Sequence, residues 1–151
     1  MRSFHNSFKR EFEMLYELSD GSYNKFGWSL TMYLSAIKRL KSGLTMHHTI
    51  EERHIFPKLA KRMPAFANTD DGAHWNSHRG IHQGISTLSR ISPKYWLICN
   101  SLGLDDLSKL VTKFSEEPAA YNPIELRACF DGFRDVLFHH LDEEVRHSLD
   151  K

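Results

Sequence analysis

Apolar residues recur at three- and four-residue intervals along most of the chain, which is the pattern of helices that each bury one face. We expect helices over residues 4–18, 28–64, 75–93 and from 123 onward, since prolines or turn-forming residues separate these stretches. Residues 104–114 have the spacing of a short amphipathic helix, but we place the whole stretch 93–123 outside the main bundle. Because strand-like alternation is lacking, the pattern predicts an all-α, up-down four-helix bundle with a long connection before the last helix.

The second predicted helix carries two polar residues on its apolar face. His47 and Glu51, one turn apart, continue a stripe formed by Leu30, Tyr33, Ile37, Leu40 and Leu44. An unpaired buried carboxylate costs several kcal/mol, so Glu51 needs a cation, a proton or several hydrogen-bond donors. Pro57 follows within two turns of Glu51 and should kink or restart the helix.

The bulk composition excludes several classes of protein. A length of 151 residues with 40% hydrophobic content suits one globular domain, residues 1–151. A formal charge of +1 gives no reason to expect nucleic acid or a membrane surface as a partner. No apolar run approaches the ~18 residues of a transmembrane helix, and the N-terminus lacks a signal-peptide core. Cys99 and Cys129 are isolated, which suits a reducing compartment, so we expect a cytoplasmic protein.

Histidine is the unusual component of the composition, with ten residues in four groups, one on each predicted helix. Side chains four residues apart on a helix are neighbours, so His-x-x-x-Glu and His-x-x-x-His spacings offer two ligands to one small volume. Stripe positions supply five imidazoles and two carboxylates: His5, His47, Glu51, His78, His82, His140 and Glu144. Seven donors are too many for one tetrahedral zinc. Mixed nitrogen and oxygen donors suit iron or manganese, and two carboxylates can bridge two ions.

These motifs together resemble the hemerythrin-like, or HHE cation-binding, family over nearly the whole chain. The matching residues are His47-His48-Thr49-Ile50-Glu51-Glu52 with Ile55-Phe56-Pro57, then His78-x-x-x-His82, then His139-His140-Leu141-Asp142-Glu143-Glu144, with His5 early in the first helix. The resemblance implies a centre of two non-haem iron ions, which manganese or zinc could replace in a purified sample. It also implies that Glu51 and Glu144 bridge the ions. By the same analogy His78, His82 and His140 serve one iron, and His5 and His47 serve the other, which has room for dioxygen.

The last helix departs from the respiratory members of the family, whose bridging aspartate follows its histidine by five residues. Glu144 follows His140 by four residues and His139 by five. We prefer His140, since it shares the apolar stripe of Phe133 and Leu137, and His139 with Glu143 is the alternative. The remaining polar residues are expected to be solvated or to orient the ligands by hydrogen bonds: His48, Glu52, His54, His74, His139, Glu143 and His147.

Three functions agree with this donor set. The first is binding of dioxygen or a related small ligand for storage, delivery or sensing. The second is a di-iron enzyme acting on peroxide, nitric oxide or dioxygen, with His54 or Tyr33 as a nearby proton donor. The third is a redox-silent module for sensing or storing iron. We rank binding of oxygen or iron above catalysis.

Overall fold

A computed structural model describes residues 2–69, 72–83 and 103–147, and these residues form helices and turns without a strand among them. The helices are α1 (Arg2–Leu18), α2 (Leu30–Ile50), α3 (Phe56–Leu59), α4 (Ala73–Gln83), α5 (Leu104–Glu116) and α6 (Pro123–His147). Short 3-10 turns cover Ser22–Phe26, Pro64–Phe66 and Pro118–Ala120, and a π-helical turn covers Glu51–Ile55. The all-helical prediction is confirmed for the described residues, whereas the up-down order of four helices stays a prediction.

The helix ends have local causes that the sequence displays. The chain leaves α1 through Gly21, whose positive φ of 96° favours glycine. Ser29 begins α2, since its hydroxyl accepts a hydrogen bond from the backbone N–H of Met32 at 3.2 Å. Asn122 does the same for α6, accepting from the backbone N–H of Ile124 at 3.0 Å. The first and last predicted helices are therefore confirmed, while the predicted end of the third, which includes Ile85 and Leu88, lies outside the described residues.

The long second helix is interrupted where Glu51 begins. Helix α2 ends at Ile50, the π turn follows, and α3 restarts at Phe56 with Pro57 in its first turn. The predicted restart within two turns of Glu51 is thus confirmed. A π turn takes one residue more than an α turn and is frequent at functional sites.

Helix α5 packs into the core, so the prediction that residues 93–123 lie outside the main bundle is wrong for this helix. Its apolar stripe of Leu104, Leu107, Val111 and Phe114 is buried, and the helix contacts α2, α4 and α6. Burial of one such side chain is worth about 1.5–3 kcal/mol, which explains why the stripe does not stay in solvent. Pro118 ends α5 but does not exclude it from the core.

The rest of the core is aromatic. Phe12 of α1 meets Phe130, Phe133 and Phe138 of α6 edge to face, with ring centroids 5.0–5.5 Å apart. This layer lies about two turns along α1 from His5, or ~10 Å at the rise of an α-helix. Aromatic and histidine layers therefore occupy successive levels of one bundle. Among the described helices, none combines the length and apolarity required to traverse a bilayer.

Candidate metal site

Buried histidines and glutamates from separate helices meet at one level of the bundle. Helix α1 supplies His5, the end of α2 supplies His47, and the π turn supplies Glu51. The other donors are His78 of α4 and His140 and Glu144 of α6. All are buried except His47, whose side chain is 16% exposed. The site therefore depends on long-range packing that brings four chain segments together.

The first donor group combines His5 and His47 with the two glutamates. The Nε2 atoms of His5 and His47 are 3.1 Å apart, and His47 Nε2 lies 3.1 Å from Oε1 of Glu51. His5 Nε2 lies 3.4 Å from Oε2 of Glu144. One ligand atom from each of these four residues falls within 4.8 Å of all the others. Because His5 Nδ1 donates to the carbonyl of Leu141 at 3.0 Å, its Nε2 presents a lone pair to this group.

The second group combines the same glutamates with His78 and His140. The Nε2 atoms of these histidines are 2.9 Å apart, with Glu51 Oε2 3.4 Å from His78 Nε2 and Glu144 Oε1 3.5 Å from His140 Nε2. These four residues again place donors within 4.8 Å of one another. Each glutamate thus directs one oxygen to each histidine pair. This is the arrangement of two carboxylates that could bridge two cations.

Glu52 holds His78 from its other side. Its Oε1 accepts from Nδ1 of His78 at 2.8 Å, so His78 has a carboxylate near each ring nitrogen. Because a carboxylate only accepts, the proton resides on Nδ1 and the lone pair of Nε2 faces Glu51. Carboxylates that orient ligand imidazoles in this way are common around metal ions. The π turn that contains Glu51 and Glu52 brings both carboxylates to the same ring.

Burial favours the neutral form of the imidazoles and of the carboxyl groups when no cation is near. It lowers the pKa of His5 and His47, lowers the pKa of His78 to about 4, and lowers the pKa of His140 well below its ordinary value. It also raises the pKa of Glu51 and of Glu144. Both oxygens of Glu51 and Oε2 of Glu144 are buried without a hydrogen-bond partner. Such oxygens facing neutral imidazoles fit a cation, because a cation stabilises the ionised carboxylates.

Six of the seven residues predicted as ligands meet here, and His82 does not join the carboxylates. His82 is partly exposed, and its Nε2 lies 3.2 Å from Nδ1 of His48. His140 is completely buried, whereas His139 faces solvent and pairs with Glu143 at 3.2 Å. The geometry therefore places His140 with Glu144 inside and the alternative pair outside.

Two histidines that sequence reasoning left among the solvated or orienting residues are also buried. His48 and His74 are each 1% exposed. One ring nitrogen of His48 lies within 4.8 Å of nitrogens of His78 and His140. His74 stacks on Phe66 with centroids 4.0 Å apart and lies 5.8 Å from the ring of His140. The four-residue spacing of His74 and His78 on α4 could have indicated burial of His74, but α2 alone gives no such signal for His48.

The fold and this site together define a helical metal-binding protein with histidine and glutamate clusters. The family model described as the hemerythrin HHE cation binding domain matches residues 1–147. The chain belongs to this family, and the resemblance seen in the motifs is confirmed. No match was found among curated proteins or among solved structures.

Proposed function

We propose that the chain holds two non-haem iron ions and uses them to bind dioxygen or a related small ligand, for oxygen binding, storage or sensing. His5 and His47 would hold one ion, His78 and His140 the other, and Glu51 and Glu144 both. The observation that carries this proposal is the division of each glutamate between two histidine pairs, with the oxygens of Glu51 lacking any hydrogen bond.

The donor chemistry supports iron. Imidazole and carboxylate donors without a thiolate suit iron or manganese. The described cysteine, Cys129, does not belong to the donor groups, since its thiol donates a hydrogen bond to the backbone carbonyl of Gly103. Four protein donors for each ion leave further coordination positions for a small molecule. Two iron ions, when bound, would supply a redox-active pair with an affinity for dioxygen.

The surroundings suit a small and uncharged ligand. The ring of Phe8 lies 5.5 Å from that of His47, and the ring of Phe56 lies 4.9 Å from that of His78. These apolar walls exclude bulk water from the donors. His47 is the more exposed of the four histidines, so the side of His5 and His47 offers the shorter path from solvent.

Neither of the two proton donors considered for an enzyme is buried among the candidate metal ligands. The hydroxyl of Tyr33 donates to the carbonyl of Leu15 at 2.6 Å. Tyr33 also precedes His47 by fourteen residues on α2, or ~21 Å along the helix. His54 is exposed. Reversible binding therefore ranks above turnover of peroxide or nitric oxide. A redox-silent iron sensor is the remaining alternative, favoured by the unsatisfied buried carboxylates, which would make the stability of the protein depend on metal.

The test begins with the metal content of protein expressed in iron-supplemented medium, for which we expect two iron ions per chain. The ferrous protein, prepared without oxygen, is then exposed to oxygen and returned to anaerobic buffer while its optical spectrum is recorded. A new absorption that disappears on deoxygenation supports binding. A spectrum that stays oxidised contradicts it, and steady peroxide turnover that is lost in His78→Ala would favour the enzyme instead.

A further inference from the structure

We infer that Lys9 is a positioning residue for the candidate metal site, an inference that rests on the proposed two-ion centre and deepens it. The ion pair between Lys9 and Asp142 of α6 fixes the first turn of α1, which carries the candidate ligand His5. An ammonium group has no lone pair to offer an ion, so Lys9 acts through the position of His5.

His5 lies in the first turn of α1, where a helix is least stable by itself. The first four backbone N–H groups of a helix have no partner within it, and helix ends are among the parts of a fold that open most easily. Helix α1 begins at Arg2, and its first turn contains no acidic residue that would interact favourably with the helix dipole. The neighbours Phe4, Asn6 and Ser7 are exposed. Contacts with the rest of the bundle must therefore hold His5 in place.

Helix α6 supplies such contacts at two successive points. Nδ1 of His5 donates to the carbonyl of Leu141 at 3.0 Å. One turn further along α1, Nζ of Lys9 lies 2.6 Å from Oδ1 of Asp142, the next residue of α6. Together the two contacts fix the register of α1 against α6. The same register places Nε2 of His5 3.4 Å from Oε2 of Glu144.

The surroundings of Lys9 favour this ion pair over one on an open surface. The side chain of Lys9 is 19% exposed, and its Nζ lies 5.2 Å from the centre of the Phe138 ring. A cation over an aromatic face gains a further attraction. Asp142 is 56% exposed, however, and solvent screens such a pair. We therefore expect the pair to change an equilibrium by no more than about fivefold.

A second ion pair between the same two helices supplies a matched control. The guanidinium of Arg134 of α6 lies 3.5 Å from Oε1 of Glu13 of α1, and it lies 5.5 Å from the centre of the same Phe138 ring. Glu13 follows Lys9 by one turn, so this pair is further from the beginning of α1. Because a helix frays inward from its end, the pair of Lys9 controls the order of the first turn, and the loss of Arg134 leaves that pair in place.

The first measurement is hydrogen–deuterium exchange of the metal-free full-length protein, comparing wild type with Lys9→Met and Arg134→Met. Methionine keeps an unbranched side chain at position 9 and removes the charge. We expect the backbone amides of residues 5–9 to exchange about three- to fivefold faster in K9M, because the first turn opens more often. Exchange in this stretch should be unchanged in R134M and in Lys9→Arg, which retains the cation. Equal exchange in K9M and wild type would overturn the inference.

The second measurement is an anaerobic titration of the same variants, and of His5→Ala, with ferrous iron. We expect wild type to bind two ions, and K9M to weaken the binding step that H5A weakens by about two- to fivefold. The apparent affinity falls because His5 is in place in a smaller fraction of the metal-free protein. The other step should be unchanged in K9M, and both steps should be unchanged in R134M and K9R.

The pattern across the two binding steps separates positioning from general stability. An equal loss in both steps of K9M, an equal loss in R134M, or unchanged affinities in K9M would each overturn the inference. If wild type itself binds fewer than two ions, the proposed two-ion centre fails. The exchange of metal-free K9M then still decides whether Lys9 holds the first turn of α1, so the two failures are distinguishable.

Discussion

Glu144→Gln should stabilise the metal-free protein and abolish its stabilisation by metal. Glu144 is 5% exposed, and burial together with the neighbouring Glu51 raises the pKa of Glu144 from 4.5 to about 9. At pH 7 the folded protein therefore keeps a proton that the unfolded chain has released. Because pH 7 lies about 2.5 units above the ordinary pKa of the carboxyl group, and each unit is worth about 1.4 kcal/mol, the folded state is destabilised by about 3 kcal/mol. Glutamine resembles the protonated carboxyl group and carries no such penalty.

The sign of the pH dependence follows from the raised pKa. Below the pKa of the unfolded chain, the buried carboxyl group of Glu144 has no effect on the free energy of unfolding, because it is protonated in both states. As the pH rises toward the folded pKa, the free energy of unfolding falls. Wild type and E144Q should therefore unfold with equal free energy near pH 4. By pH 7 the metal-free variant should be more stable by up to about 3 kcal/mol. Contributions of ionisable groups that do not contact Glu144 are common to both proteins and cancel in the difference.

Urea denaturation of chelator-treated protein between pH 4 and pH 7 measures this difference, and saturating ferrous iron should reverse it. Ligand at about a thousand times its dissociation constant stabilises the folded state by about 4 kcal/mol, and E144Q lacks a shared donor. Glu143→Gln is the matched control, because Glu143 pairs with the exposed His139 and should change stability by less than about 0.5 kcal/mol. A difference between wild type and E144Q that does not vary with pH would refute the reasoning.

Three further predictions follow from the same geometry. Glu52→Ala should weaken iron binding about 10- to 100-fold in a metal titration, because His78 loses the carboxylate that fixes its tautomer; an affinity equal to wild type would remove that role. At pH 7, saturation with iron should release about one proton, which comes from the protonated carboxyl group of Glu144. His78 should release none, because burial lowers its pKa to about 4 and the ring is already neutral. Calorimetry in buffers of different ionisation enthalpy counts the released protons, and an unaltered release in E144Q would contradict Glu144 as their source. Phe12→Ala should destabilise the protein by about 3–5 kcal/mol in urea while leaving two ions per chain; loss of metal stoichiometry would show that the aromatic layer also shapes the site.

Local periodicity was sufficient to place most of the site residues on helix faces. His47 and Glu51 continue a stripe of aliphatic residues, and His140 shares a stripe with Phe133 and Leu137, so each could be assigned to a buried face from its own helix. The apolar stripe of Phe133 and Leu137 also favoured His140 over His139. Whether a residue lies on the apolar face of a helix depends only on the sequence of that helix, so the periodicity of one helix is sufficient to predict it.

Position relative to other helices was not readable in this way. His48 lies off the stripe of α2 and is buried because α4 brings His78 and His82 against it. His82 has the correct four-residue spacing from His78, yet it contacts His48 and not the carboxylates. Helix α5 shows the same limit, since its stripe predicted burial of one face but not the helices that cover it. In each case the partner across the interface decides the role.

The layer of buried histidines and glutamates and the aromatic layer have opposite effects on the stability of the metal-free protein. This difference explains why the fold can contain the candidate metal site. When no cation is present, the buried carboxyl groups disfavour the folded state at neutral pH, as the raised pKa of Glu51 indicates, and the buried imidazoles disfavour it in acid, as the lowered pKa of His78 indicates. The aromatic layer around Phe12 and the apolar stripe of α5 hold the same helices together without the site. A classical zinc finger, which lacks a comparable core, unfolds when its metal is removed. Here the apolar layers should keep the metal-free helices assembled, so metal binding adds to stability and does not create the fold.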